Sequence, residues 1–142
     1  YLTEYPFQNT MEEIYKQADI VSLHIPLTAE TTYLVNDEFI HKFEKDFYLI
    51  NTARGKCINT IDLVSALEKG KIQGACLDVL ENEKTSFENL HQQAVNSEMQ
   101  YIIDSPKTIL SPHIAGWTHE SNIKLAKILY KKIIESNNKN IE

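Results

Sequence analysis

Apolar residues follow two rhythms along this chain, and the rhythms alternate. Short apolar runs with β character occur at residues 20–25 (Ile-Val-Ser-Leu-His-Ile), 47–51 (Phe-Tyr-Leu-Ile-Asn), 74–80 (Gly-Ala-Cys-Leu-Asp-Val-Leu) and 108–111 (Thr-Ile-Leu-Ser). The first of these reads as a parallel strand buried on both faces. Pro26 and Pro112 close the first and last runs, because proline has no N–H to give to a sheet. Between the runs lie helical signals. Thr10 and Glu13 have the form of a capping box, opening a helix that ends near Ala18. Asn36 caps a helix through Phe43, with Asp37 and Glu38 in the turn where the helix dipole favours negative charge. A third helix starts at Asn59 or Thr60, carries Leu63, Val64 and Leu67 on one face, and meets a left-handed cap at Gly70. The pattern weakens between Glu81 and Lys107, where residues 87–94 and 97–103 predict short helices. From Thr118 a long helix sets Ile123, Ala126, Tyr130, Ile133 and Ile134 against Lys124, Lys127, Lys131 and Lys132. That apolar stripe requires a partner surface, as any core-facing helix does. Alternation of strand and helix predicts an α/β fold, a parallel sheet with flanking helices.

Length and composition add limits rather than detail. A chain of 142 residues can bury a real core as one domain. The net charge of -6 and the lack of a basic cluster argue against nucleic acid as a partner, since phosphate neutralisation drives that affinity. No apolar run approaches the roughly 20 residues that cross a bilayer, and the first residues lack the pattern of a signal peptide. A cytoplasmic protein with no membrane partner is expected. Cys57 and Cys76 have neither CxxC spacing nor a His at zinc-ligand distance, so free thiols and no metal site are expected. The polar tail from Ser136 should fray.

The candidate chemistry gathers at the ends of the predicted strands. The four predicted strands end at His24-Ile25-Pro26, at Asn51-Thr52-Ala53-Arg54, at Asp78 with Glu81 and Glu83 just after it, and at Ser111-Pro112-His113. Parallel strands place such ends along one edge, where ligands bind in open α/β sheets. An arginine there can grip a carboxylate or phosphate with two parallel N–H bonds. For each residue a plainer reading stays open: Arg54 a surface arginine in a turn, His24 a satisfied edge histidine, Asp78 a helix cap or solvated carboxylate, Glu81 and Glu83 members of a charged loop. His41, His91 and His119 fall in or beside helices and are assigned to that plainer class.

The ordered motifs HIPLT at His24, NTARG at Asn51, GACLDVLENE at Gly74 and SPHIAGWTHES at Ser111 closely resemble the C-terminal half of the D-isomer-specific 2-hydroxyacid dehydrogenases. The similarity runs from about Asp19 to the final helix. It implies the second half of a Rossmann-like parallel sheet, NAD as cofactor, a small 2-hydroxy or 2-keto acid as substrate, and a homodimeric intact protein. By the resemblance, Arg54 binds the substrate carboxylate and polarises its keto group, His113 is the acid/base, and Glu83 hydrogen-bonds its imidazole. Ile25, Pro26, Thr52, Ala53 and Asp78 fall on the family's cofactor contacts. A corepressor-like protein that senses dinucleotide, which the same family includes, is the alternative reading.

Departures from the family pattern bear on these expectations. Lys84 stands where a proline often follows the catalytic glutamate, the segment leading to the histidine motif is long, and Glu81 is therefore a rival to Glu83. Trp117 replaces a small residue typical of phosphoglycerate dehydrogenases and leaves the substrate open. No G-x-G-x-x-G occurs, nor an acidic residue placed for the adenosine ribose. The resemblance thus implies a fragment: residues 1–117 as the C-terminal half of an NAD-binding domain, and residues 118–142 as a helix returning towards an absent substrate domain, with a frayed tail. NAD against NADP is not legible in such a piece.

Overall fold

The computed structural model describes residues 8–81 and 96–139, with side chains as far as Glu135. In chain order it contains helix α1 (Met11–Gln17), strand β1 (Ile20–Leu23), helix α2 (Asp37–His41), strand β2 (Phe47–Asn51), helix α3 (Thr60–Lys69), strand β3 (Ile72–Leu77), helix α4 (Ser97–Asp104), strand β4 (Thr108–Leu110) and helix α5 (His119–Lys139). The strands form one sheet in the order β1-β2-β3-β4, every neighbouring pair parallel. This is the α/β architecture expected from the alternating pattern.

Local chemistry sets the helix boundaries. Thr10 and Glu13 form the reciprocal capping box at α1. Asn36, Asn59 and Asn96 cap α2, α3 and α4, each accepting backbone N–H groups of the first turn with its side chain. Gly70 ends α3 with φ of 79°, a conformation glycine adopts without a Cβ penalty. The α2 helix stops at His41, two residues before the expected end, because the Lys42 and Phe43 N–H groups bond three residues back, to Phe39 and Ile40. The predicted helix at 87–94 lies outside the described residues.

The strands depart from expectation in two ways. The third begins and ends earlier, at Ile72–Leu77 rather than 74–80, since its pairing with both neighbours runs out at Leu77. One further rung joins the Asp78 N–H to the Asn51 carbonyl, after which Val79 and Leu80 turn inward and are buried. The first strand is not buried on both faces. Its register pairs Ile20 with Tyr48 and Leu23 with Asn51, which separates two faces of the sheet. One face, with Leu23, Leu49, Asn51, Ala75 and Leu77, is buried beneath the helices. On the other, Ile20, Tyr48 and Ile109 are 61%, 50% and 68% exposed. Among the described residues of this unit the sheet is covered on one side only.

That covered side holds the core. Tyr15, Phe39, Phe43 and Phe47 pack edge to face or tilted at 4.2–5.7 Å between ring centres, joining α1, α2 and β2. Leu63, Val64 and Leu67 of α3 and Met99 and Ile102 of α4 complete it. Cys57 is buried and Cys76 half-buried, both free thiols.

The chain divides into two compact units, Tyr1–Pro112 and His113–Glu142. Thr118 caps α5, accepting the Ser121 N–H at 3.0 Å. Its apolar positions Ile123, Tyr130, Ile133 and Ile134 are exposed. No helix among the described residues is long and apolar enough to cross a membrane.

Candidate active site

The first unit brings four strand ends together at one edge of the sheet. Beyond β1 stand His24, Ile25 and Pro26; beyond β2, Thr52, Ala53 and Arg54; beyond β3, Asp78; beyond β4, Ser111. Cross-strand bonds fasten these ends. The Asp78 N–H donates to the Asn51 carbonyl at 3.0 Å, the Ser111 N–H to the Leu77 carbonyl at 3.1 Å, and the Ser111 hydroxyl to Asp78 Oδ1 at 2.6 Å.

Around Arg54 the chain makes a tight turn that Asn51 shapes from within. Asn51 is fully buried, its Oδ1 accepting the Ala53 N–H at 3.0 Å and its Nδ2 donating to the Arg54 carbonyl at 3.0 Å. This is an Asx turn, in which a side chain stands in for a backbone bond. Gly55–Cys57 then form one turn of 3-10 helix. The Arg54 side chain is exposed, with one guanidinium nitrogen donating to the Ala53 carbonyl at 2.6 Å. Its other N–H groups can present a fork to an anion.

Gly55 is required by close approach rather than by its own φ. A Cβ built there would lie 2.0 Å from the Leu80 carbonyl oxygen, so the Arg54 turn rests directly on the backbone that leaves β3. Opposite, the Tyr33 N–H donates to the Lys56 carbonyl at 2.8 Å and the Val35 N–H to the Cys57 carbonyl at 3.0 Å. Beside β1, the loop of residues 27–32 folds on itself, with Thr31 Oγ1 donating to the Pro26 carbonyl and Thr32 Oγ1 to that of Thr28, both at 2.7 Å.

Glu81 ties these walls together. Its Oε1 accepts the Tyr33 phenol at 2.7 Å, and its Oε2 accepts the Thr60 N–H at 3.1 Å and hydroxyl at 2.5 Å. Burial opposes ionisation of Glu81, but the bonds from Thr60 and Tyr33, with the nearby Lys56 charge, outweigh it and hold the carboxyl below the usual glutamate value. The hydrogen bond to the Glu81 carboxylate, together with its negative charge, raises the pKa of the Tyr33 phenol. Three acceptor sites of this carboxylate are therefore committed to structure. Glu83, the residue Glu81 rivals, lies outside the described residues.

Asp78 is 3% exposed, which replaces the solvated carboxylate of the plainer sequence reading with a buried, hydrogen-bonded one. His24 takes the plainer role foreseen for it, with Nε2 at 2.8 Å from the Ser22 hydroxyl. His41 is likewise engaged within its helix, with Nδ1 at 2.8 Å from the Asp37 carbonyl. His113 opens the second unit, and its backbone sits at φ of 54°. Left-handed backbone is uncommon outside glycine and collects at functional sites. No buried side-chain polar atom among the described residues lacks a hydrogen-bond partner, and none of their His, Cys, Asp and Glu side chains cluster as a metal site. Sequence patterns alone left the roles of Asn51, Gly55 and Glu81 unread, although an asparagine two residues before a buried N–H is an Asx-turn signal.

Residues 2–115 match the family model described as D-isomer specific 2-hydroxyacid dehydrogenase, NAD binding domain. A glyoxylate reductase of Thermofilum pendens is 37% identical over 131 residues, covering 87% of this chain and 33% of that protein. A D-lactate dehydrogenase of Streptococcus pyogenes is 40% identical over 119 residues, 81% of this chain and 36% of that protein. Among solved structures, the NAD-complexed D-isomer specific 2-hydroxyacid dehydrogenase of Lactobacillus delbrueckii ssp. bulgaricus superimposes with a TM-score of 0.75 at 30% identity. It covers 92% of this chain and 40% of that one. The chain thus spans about a third of the length of these curated relatives.

Proposed function

Because the chain belongs to the D-isomer-specific 2-hydroxyacid dehydrogenases, through their NAD-binding domain, we propose that it carries the substrate-facing half of an active site that interconverts a D-2-hydroxy acid and its 2-keto acid. The observation that carries this reading is the exposed Arg54 guanidinium, on a turn locked by Asn51 and Leu80, at the edge where four parallel strands end. A planar cation held there suits a small carboxylate.

The residues fit the nicotinamide half of NAD. Ile25 and Pro26 offer an apolar wall, Thr52 and the small Ala53 lie beside the arginine, and the buried Asp78 carboxyl is held in place by the Ser111 hydroxyl. No glycine-rich phosphate loop is among these 142 residues, so the pyrophosphate is assigned to residues outside this chain. NADH, when bound, supplies the hydride. Arg54 binds the substrate carboxylate with two N–H donors and draws charge towards the keto oxygen as negative charge develops there. A ring nitrogen of His113 gives that oxygen its proton, and in the oxidative direction takes the proton from the hydroxyl. Glu83 is assigned to His113, whose imidazole a carboxylate acceptor would orient. On this reading residues 1–117 complete an NAD-binding domain and the helix from 118 returns towards a substrate domain, within a homodimer.

The test is NADH oxidation by the full-length protein on a panel of 2-keto acids, with this 142-residue chain as control. Turnover by the full protein and none by the chain alone is expected. Tight NADH binding with no turnover on any 2-keto acid would instead favour a dinucleotide-sensing corepressor.

A further inference from the structure

We propose that Glu81 is a positioning residue for Arg54: by joining Tyr33 to Thr60, its carboxylate holds the turn that carries the guanidinium. The inference rests on the dehydrogenase reading above and assigns a role to a residue that reading leaves idle.

The turn is supported on opposite sides by segments distant in sequence. On one side, the Tyr33 and Val35 N–H groups donate to the Lys56 and Cys57 carbonyls. On the other, the Leu80 carbonyl occupies the space a Gly55 side chain would fill. Glu81 is the next residue after Leu80, and its Oε1 reaches across to the Tyr33 phenol, 48 residues away in sequence. Its Oε2 meanwhile receives both donors of Thr60, the first residue of α3. A closed circuit results, running from Glu81 through Tyr33 to Lys56, along the chain to Gly55, and back through Leu80.

Opening that circuit frees the turn along one direction. Asn51 still fixes the Ala53–Arg54 peptide from within, so the fold survives. What is lost is the spacing between the arginine and the strand ends beside it. Tyr33 reinforces the point, for its backbone sits at φ of 54°, an unfavourable conformation for a bulky side chain that its neighbours must hold in place. A displaced clamp weakens substrate binding and orientation while leaving the remoter parts of the cofactor site alone.

Glu81→Gln and Tyr33→Phe in the full-length protein test this. In Glu81→Gln the KM for the 2-keto acid should rise about tenfold, the loss expected when a charged hydrogen-bond acceptor becomes neutral. In Tyr33→Phe it should rise about threefold. The Kd for NADH should stay within about twofold in both. Adding Tyr33→Phe to Glu81→Gln should raise the KM little further, because both act through one circuit. An unchanged KM in either variant, or a KM and an NADH Kd that rise together, overturns the proposal. Should Glu81→Gln fail to fold, Tyr33→Phe decides alone. Absence of 2-keto acid turnover in the unsubstituted protein overturns the dehydrogenase reading and this inference with it; turnover with unshifted variants overturns the inference only.

Discussion

His113 shows how a single residue can be probed without disturbing its backbone. At φ of 54° the position tolerates asparagine, which visits left-handed conformations more readily than other non-glycine residues. His113→Asn in the full-length protein should therefore fold normally, by its circular dichroism and melting temperature, yet lose 2-keto acid turnover. Undiminished activity would remove His113 from the mechanism. Arg54→Lys keeps the charge but not the fork, and should raise KM while lowering kcat, reducing kcat/KM by about a hundredfold in steady-state assays. The two glycines of the Arg54 loop and α3 separate two kinds of constraint. Gly55→Ala brings a Cβ against the Leu80 carbonyl, and the clash should destabilise the chain by about 3 kcal/mol in urea unfolding. Gly70→Ala meets open space and only a strained φ, so it should cost about 1 kcal/mol. Equal losses at the two sites would contradict the close approach at Gly55.

Helices and turns were the most legible elements of this chain, because their signals are local. The Thr10–Glu13 capping box, the Asn36 and Asn59 caps and the Gly70 stop all lie within four residues of the groups they satisfy. Strand lengths were less legible. The end of β3 is set by where β2 and β4 stop pairing, and no pattern within residues 74–80 announces that Val79 and Leu80 turn inward. Four strand ends could be inferred to share one edge from the parallel topology, but the Glu81 circuit joins residues 33, 60 and 81 through side chains that look like ordinary loop and cap residues. That circuit gives the elements it joins a pH dependence of definite sign. The Glu81 carboxyl titrates lower in the fold than its ordinary value of 4.5. Its stabilising contribution is therefore complete above that value and is lost as pH falls through the lower folded value. The Tyr33 phenol titrates above its ordinary value of 10.0, so its contribution is complete below that pH and fades as pH rises past it. Urea midpoints across pH should thus show a plateau with an acidic and an alkaline decline, both reduced in Glu81→Gln. Unaltered declines in that variant would place their origin elsewhere.

On the scale of the first unit, the sheet is covered on one side only among the described residues. The β-branched run at residues 20–25 suggests a strand covered on both faces, and it does so because hydrophobicity reports what a residue can be buried against, not what lies against it. Ile20, Tyr48 and Ile109 form the open face, Leu49 and Leu77 the closed one, and the chain spans only about a third of the length of its curated relatives. Substitution can tell the faces apart in these 142 residues. Ile109 is 68% exposed, so Ile109→Lys should change unfolding free energy by no more than about 0.5 kcal/mol, as surface replacements do. Leu49 is fully buried, and Leu49→Ala removes packed methyl groups and leaves a cavity, costing about 2–5 kcal/mol. Urea unfolding of the two variants beside the unsubstituted chain measures both. A loss at Ile109→Lys approaching that at Leu49→Ala would mean that something in the chain covers the second face. Ile20, Tyr48 and Ile109 would then belong to a second buried face of the first unit rather than to an exposed one.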